Sequence, residues 1–213
     1  IFDVDTLYDG QTTFNASNIT SGADQNPADV LYNYLTSPRY GKGLDRDEQR
    51  NWVAGLHIDL DSFKQAKADC AAARNGDGFL LNGFLQTEKQ IFDNVGEILE
   101  TCNGMLLFVN GKYQFRLRKK DEQLSIPGSA IFTKDNIIGN IELALPQKSR
   151  KYNKVTGQFN NPETKYNEDL VVVKDDAYVE EDNGSVLEAQ EDFTMVTNAA
   201  HVEDLITQMM EVS

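Results

Sequence analysis

The stretch Asn26-Pro-Ala-Asp-Val-Leu-Tyr-Asn-Tyr-Leu-Thr-Ser-Pro-Arg-Tyr-Gly-Lys-Gly-Leu44 predicts a short helix with a defined start and end. Asn26 can cap the first turn with its side-chain oxygen, and Pro27 suits the first helical position, where its missing N–H costs nothing. Ser37 ends the helix because a residue that precedes proline disfavours helical backbone. The apolar residues fall at helical spacing on one face: Val30, Leu31, Tyr34 and Leu35. We therefore expect this helix to dock by that face.

The loop after this helix combines a guanidinium and a phenol with two glycines, in the order Arg39-Tyr40-Gly41-Lys42-Gly43. Glycines permit the sharp turns that fold such a loop against a neighbour. Two roles are open for Arg39. It holds a loop at a subunit boundary through a bidentate bond to a carboxylate or to backbone carbonyls, or it caps the carbonyls of the preceding helix within one subunit. Either role is architectural.

The same stretch resembles the N-P-A-x-x-x-x-x-Y-L-T-x-x-R-Y-G-x-G segment of tail-tip proteins from long-tailed phages and prophages. The family is that of the host-specificity or tip-attachment protein J of lambda-like phages, with related baseplate-hub proteins. Residues 88–118 and 155–163 fit this resemblance more weakly. The matching residues of the main stretch are Asn26, Pro27, Ala28, Tyr34, Leu35, Thr36, Arg39, Tyr40, Gly41 and Gly43.

The resemblance implies a structural component of the tail tip or baseplate hub, assembled in the bacterial host cytoplasm and located in the virion tail. It implies a homo-oligomer, a trimer in the full-length assembly, that contacts the distal tail protein, the tape measure and a host receptor. It implies no enzymatic activity. Two alternatives stay open: a module that binds a host-surface glycan or protein through the polar loops 10–25 and 175–191, and a peptidoglycan-degrading tail module.

Charge restricts the partners of the chain. The 213 residues carry a net charge of −14, which argues against binding nucleic acid or an anionic membrane by counterion release. Acidity of this degree commonly serves to keep a surface hydrated. The resemblance adds a second interpretation, in which some carboxylates line a channel that DNA passes without adhering. The chain begins at Ile1 without a leader, which favours a piece of a longer protein, and no segment predicts membrane insertion.

The sequence predicts no catalytic, cofactor-binding or metal site. Cys70 and Cys102 fall on apolar helix faces and are expected to be buried free thiols. The two histidines, His57 and His201, lack metal-ligand spacing, so structural roles are expected for both. Carboxylate pairs are numerous, but a glycosidase requires two at a separation of roughly 5–10 Å, which a sequence alone does not define.

Periodicity and turn signals predict the remaining elements of the first half. A helix over 60–74 is capped by Asp59 or Asp61, and a short bent strand follows at 79–85. The sequence Thr87-Glu-Lys-Gln90 has the form of a capping box, and a hairpin joins 105–109 to 112–117 across Asn110-Gly111. Between them an apolar stripe marks a helix: Ile91, Phe92, Val95, Ile98, Leu99 and Cys102.

The second half predicts strands at 137–145, 153–159 and 170–173, an exposed acidic loop or edge hairpin at 175–191, and a helix over 198–212. The predicted fold is therefore α+β, with short helices packed on small antiparallel sheets and more than one subdomain. The predicted divisions are a polar N-terminal segment at 1–25, an α+β subdomain with a helix–hairpin unit at 26–120, and a mainly β subdomain closed by a C-terminal helix at 121–213.

Overall fold

A computed structural model describes residues 25–86, 88–118 and 152–212 of the chain. Within these residues the fold contains five α-helices, a two-stranded sheet and a three-stranded sheet, which confirms the α+β class. Three predictions lie outside the described residues: the strand at 137–145, the polar segment at 1–24 and Thr87 of the capping box.

Helix α1, Pro27–Thr36, begins and ends where the sequence predicts. The side chain of Asn26 accepts a hydrogen bond from the backbone N–H of Ala28 (3.0 Å), and the chain turns extended at Ser37. The prediction that α1 docks by one face is wrong, because all ten of its residues are buried. Two other helices pack against it, and its polar groups find internal partners; the hydroxyl of Thr36, for example, donates to the carbonyl of Tyr32 (2.9 Å).

Helix α2, Leu60–Ala72, packs between α1 and a hairpin of strands β1, Gly104–Val109, and β2, Lys112–Leu117. Of the two predicted caps, Asp59 is the one used, and it accepts from the backbone N–H of Ser62 (3.3 Å). The hairpin is confirmed, with Val109 paired to Lys112. Asn110 and Gly111 both have positive φ (51° and 80°), as a two-residue type I′ turn requires.

Helix α3, Ile91–Glu100, begins later than the capping box predicts. Gln90 occupies the N-cap position without a side-chain capping bond. The predicted apolar stripe is also wrong at Phe92, which is 55% exposed, whereas Val95 and Ile98 are buried. Phe92 lies in the first turn of α3, at the margin of the packed face, so more than half of its side chain stays in solvent.

The predicted strand at 79–85 is absent from the described residues. Its backbone N–H groups donate to three separate segments instead of to one partner strand: Phe79 to Cys70, Leu81 to Gln25 and Asn82 to Met195, at 2.9, 2.8 and 2.9 Å. A sheet ladder needs successive bonds to one neighbour, so this segment runs extended without forming a strand.

The second sheet has the strand order β4-β3-β5, with β3 at Lys154–Asn161, β4 at Asn167–Lys174 and β5 at Glu188–Phe193. The prediction of an exposed loop or edge hairpin at 175–191 is wrong, because this segment forms helix α4, Asp176–Glu181, and most of β5. Strand β5 is parallel to β3, so this sheet is mixed and not purely antiparallel. The physical reason is that β4 ends opposite Lys154, where β3 begins, and the segment containing α4 crosses that end of the sheet, so β5 also starts beside Lys154 and runs with β3.

The C-terminal helix α5, Ala199–Val212, is confirmed and packs on this sheet. Gly157 of β3 permits the close approach, because a Cβ there would lie 2.6 Å from Val202 and 2.8 Å from Ile206. Several contacts connect the two halves of the chain, including an ion pair between Arg74 and Asp204 (2.8 Å). The division at residue 120 into subdomains stays a prediction.

Candidate interaction surface

The loop after α1 folds back over the end of that helix. The backbone N–H groups of Ser37, Lys42 and Leu44 donate to the carbonyls of Asn33, Tyr34 and Leu35, at 2.9, 3.3 and 2.9 Å. The main chain therefore caps α1. The exposed guanidinium of Arg39 makes no hydrogen bond or ion pair within the described ranges, so capping by Arg39 is not observed.

Gly41 is required by this folded-back geometry. A Cβ at position 41 would lie 1.6 Å from the carbonyl oxygen of Tyr34, which no side chain can accommodate. Gly43 has φ +68°, in the left-handed region that glycine occupies without strain. The two glycines of the motif thus fix the path of the loop.

Four other residues of the motif lie below the surface and position the loop. Asn26 donates from Nδ2 to the carbonyl of Lys67 (3.1 Å), and Pro27 and Leu35 are buried. Tyr34 is buried, and its hydroxyl accepts from Nδ2 of Asn94 on α3 (2.9 Å). These contacts seat α1 against its neighbours, so the loop is attached to a rigid support.

Arg39 and Tyr40 are the two motif residues that reach the surface. Tyr40 is 45% exposed, and its hydroxyl donates to Oδ1 of Asn33. That bond ties the phenol to the buried helix while one side of the ring stays in solvent. The motif therefore has a buried part that supports the loop and an exposed pair, Arg39 and Tyr40, that the loop holds at the surface.

Sequence reasoning missed the residues that adjoin the loop. Lys42 Nζ lies 4.8 Å from the ring centroid of Phe92 on α3 and 5.8 Å from that of Tyr113 on β2. Phe108, which is 65% exposed, packs on Tyr113 with the ring centroids 5.0 Å apart. We call these four residues, together with Arg39 and Tyr40, the aromatic surface. The sequence marked Arg39 and Tyr40 through the motif, but it did not show that Lys42 lies near Phe92 and Tyr113, because these contacts join distant segments.

Asp45 anchors the next segment of the chain, although nothing in the sequence singled it out. Its carboxylate is fully buried and accepts from the backbone N–H groups of Gly55 (2.9 Å), His57 (2.7 Å) and Ile58 (3.2 Å). The backbone N–H of Asp45 in turn donates to Nδ1 of His57 (3.0 Å). Burial, and secondarily the charge of Asp45, raise the pKa of Tyr32. His57 therefore acts as a structural acceptor, as expected.

The other predicted structural groups are buried. Burial lowers the pKa of His201 to about 4, and its Nε2 lies 2.8 Å from the carbonyl oxygen of Thr101. Cys70 and Cys102 are buried free thiols, as predicted. A hydrogen bond between the two thiols, together with burial, raises the pKa of Cys70, so it is a poor nucleophile.

Two clefts among the described residues contain carboxylates. The larger, about 390 Å³, lies between α2 and β2 and includes Asp59 and Asp69. Asp59 already caps α2 and accepts from Gln114 (2.9 Å), and Asp69 accepts from Gln65 (3.0 Å), so these carboxylates have structural partners. The second, about 250 Å³, lies between α3, β5 and α5.

The described part of the chain contains no cluster of three His, Cys, Asp or Glu side chains that could bind a metal ion. None of its helices combines the length and the apolar composition that crossing a bilayer requires.

Comparison with known proteins gives the family. No curated protein matches the chain. A family model described as "Putative phage tail protein" matches residues 91–212, more than half of the chain. This range excludes the 26–44 motif but includes Phe92, Phe108 and Tyr113 of the aromatic surface. The chain therefore belongs to this family of phage tail proteins.

Proposed function

We propose that the chain is a structural component of a phage or prophage tail tip or baseplate hub, which assembles around the tail axis and links the tail tube to the host-recognition parts. Membership of the family supports a structural role in the phage tail, with other tail proteins as partners. The resemblance of residues 26–44 to the tip-protein J family supports the narrower assignment. The observation that carries it is the loop 39–43, which exposes Arg39 and Tyr40 and places Lys42 Nζ 4.8 Å from the ring centroid of the family-matched residue Phe92.

The aromatic surface is the contact surface in this proposal. Aromatic and arginine side chains contribute disproportionately to protein interfaces, and large apolar groups are unfavourable in water without a partner. The loop is already ordered by Gly41 and by the main-chain bonds to α1, so little conformational entropy is lost on association. We propose a second copy of the chain as the first partner, in a trimer of the full-length assembly. The distal tail protein and the tape measure are further partners in that assembly.

The role is architectural in this proposal. Of the titratable groups with large pKa shifts, Tyr32, Cys70 and His201 are buried and engaged with the core. Asn26, Pro27, Tyr34, Leu35, Gly41 and Gly43 shape and seat the loop, while Arg39 and Tyr40 make the intersubunit contact.

Tail assembly tests this proposal. The double variant Arg39→Met, Tyr40→Ala is introduced into a phage genome that encodes the chain, and tails are examined by negative-stain electron microscopy. We expect a normally folded chain but at least tenfold fewer tails with a complete tip. Arg116→Met is the matched control, because Arg116 is an exposed arginine on β2 outside the aromatic surface. Unchanged assembly in the double variant would show that Arg39 and Tyr40 make no contact that the tail tip needs.

Two other outcomes would replace the proposal. Binding of the isolated chain to intact host cells or purified envelope would favour the host-recognition alternative. Clearing of peptidoglycan in a zymogram would favour the wall-degrading alternative. A tail-tip component that acts through assembly should give neither result on its own.

A further inference from the structure

A pocket of about 250 Å³ lies where the helix–hairpin half of the chain meets the three-stranded sheet. Helix α3, the start of β1, strand β5 and helix α5 all contribute to it, and each of these lies within the family-matched range. Gly96 stands at the pocket with nothing within 4 Å of the place where a Cβ would be, so this side of the pocket is open. The space suits one long side chain or a small ligand.

The pocket has an apolar wall and a charged rim. Leu99, Phe193, Leu205 and Met209 form the wall. The rim carries three carboxylates, from Glu100, Glu191 and Asp192, against the single guanidinium of Arg118. No hydrogen bond or ion pair engages these four charged side chains within the part of the chain that the structure describes. Among the described residues, negative charge at the rim is therefore in excess.

The raised pKa of Glu100 supports this description. Partial burial is the main cause that raises the pKa of its carboxyl, followed by the negative charges of Glu97 and Glu191. Lys89 acts in the opposite direction but is already paired with Glu97. A cation placed in the pocket would offset the negative potential that disfavours the ionised form of Glu100.

We propose that this pocket receives an arginine side chain of another tail protein, with the aliphatic stem against Leu99 and Met209 and the guanidinium between Glu100 and Glu191. Guanidinium groups bond carboxylates in a planar, bidentate geometry and stack on aromatic rings, here that of Phe193. A second copy of this chain is a poorer donor because it carries the same net charge of −14. The inference rests on the proposed function only for the identity of the partner as a tail component.

Methionine methyl NMR gives a direct test on the intact 213-residue chain. The chain has four methionines, Met105, Met195, Met209 and Met210, and Met209 is the one that lines the pocket. With ¹³C-methyl labelling, four resonances are assigned by single Met→Leu variants. The probe is N-acetyl-arginine amide, and the matched probe is N-acetyl-citrulline amide, which has nearly the same shape but no charge.

We expect the arginine probe to shift the Met209 resonance saturably, with a dissociation constant on the order of millimolar, while Met105 and Met195 stay in place. Glu100→Gln and Glu191→Gln should each weaken this binding by about fivefold, because each removes one rim charge. Glu168→Gln is the control, since Glu168 is an exposed carboxylate on β4 outside the pocket. Four dispersed methyl resonances in each variant confirm that it is folded.

Three results would overturn the inference: equal shifts with the citrulline probe, no shift at Met209, or equal weakening by Glu168→Gln. None of them bears on tail assembly, which is measured separately through Arg39 and Tyr40. Loss of tip assembly in that experiment together with no probe binding would thus refute the pocket and leave the proposed function standing. Normal tip assembly in the Arg39, Tyr40 double variant together with saturable binding of the arginine probe would refute the hub assignment and leave the cation-binding pocket standing.

Discussion

At the scale of single residues, the buried carboxylate of Asp45 has the largest expected effect on stability. Asp45→Asn retains the residue type that best tolerates its φ of +58°, but the amide group faces backbone donors that need an acceptor. We expect the free energy of unfolding to fall by about 2–4 kcal/mol, measured by urea denaturation. Glu48→Gln, in the same loop and exposed, should change it little. Equal effects of the two variants would contradict this assignment.

His201 gives a second residue-scale prediction, on pH. Its ordinary pKa of 6.5 is lowered to about 4 by burial and, to a smaller extent, by Arg74, while the Thr101 carbonyl and Asp204 oppose this change. Between these values the unfolded chain binds a proton that the folded chain does not. Stability is therefore fully present above pH 6.5 and is lost towards pH 4, by up to about 3 kcal/mol.

Urea denaturation at pH 7, 5.5 and 4.5 checks this prediction. His201→Gln replaces the imidazole with a neutral donor, so the variant should lose less stability than the parent chain over the same interval. The variant will be less stable at pH 7, because glutamine cannot reproduce the stacking of His201 on Phe79. Parallel pH curves for the two chains would show that His201 is not the group responsible.

At the scale of elements, the loop after α1 depends on the absence of a side chain at position 41. Gly41→Ala forces a Cβ to within 1.6 Å of the Tyr34 carbonyl, so the loop must leave the end of the helix. We expect a loss of at least about 3 kcal/mol in thermal or urea unfolding. Gly96→Ala is the control, because position 96 lies within α3 with open space around it and should gain about 0.5–1 kcal/mol.

Elements with local signals were predictable from sequence, and those fixed by distant contacts were not. The caps at Asn26 and Asp59 and the Asn110-Gly111 turn depend on neighbours within a few residues, and the structure contains all three. The extended segment at 79–85 resembled a strand, because its apolar pattern does not show where its hydrogen bonds go. The parallel pairing of β5 with β3 likewise depends on where the segment with α4 crosses the end of the sheet, which the acidic composition of 175–191 did not indicate.

The same distinction between local and distant contacts holds for the aromatic surface. The sequence indicated a sharp loop at 39–43, and the glycine at position 41 explains that loop locally. Its neighbours Phe92 and Tyr113 come from separate elements, so only the assembled fold shows that Lys42 lies between them. Asp45 had no local signal, since its carboxylate bonds residues more than nine positions away.

At the scale of the whole molecule, the net charge of −14 makes the two proposed associations respond to salt in opposite ways. Copies of the chain repel one another, so screening by salt should strengthen contact through the aromatic surface. Binding of a cationic side chain to the rim of Glu100, Glu191 and Asp192 should weaken under the same screening. Self-association is measured by sedimentation equilibrium and cation binding by the Met209 resonance, each at low and at high NaCl concentration.

Between 50 and 300 mM NaCl we expect any self-association to strengthen and the arginine probe to bind about two- to fivefold more weakly. Arg39→Met should reduce self-association without changing the salt response of the probe. Glu191→Gln should reduce the salt response of probe binding without changing self-association. If salt weakens both associations, attraction between unlike charges also holds the copies together, and the expected net repulsion between copies would be refuted. Opposite responses would instead assign the two kinds of partner to two separate surfaces of one acidic tail protein.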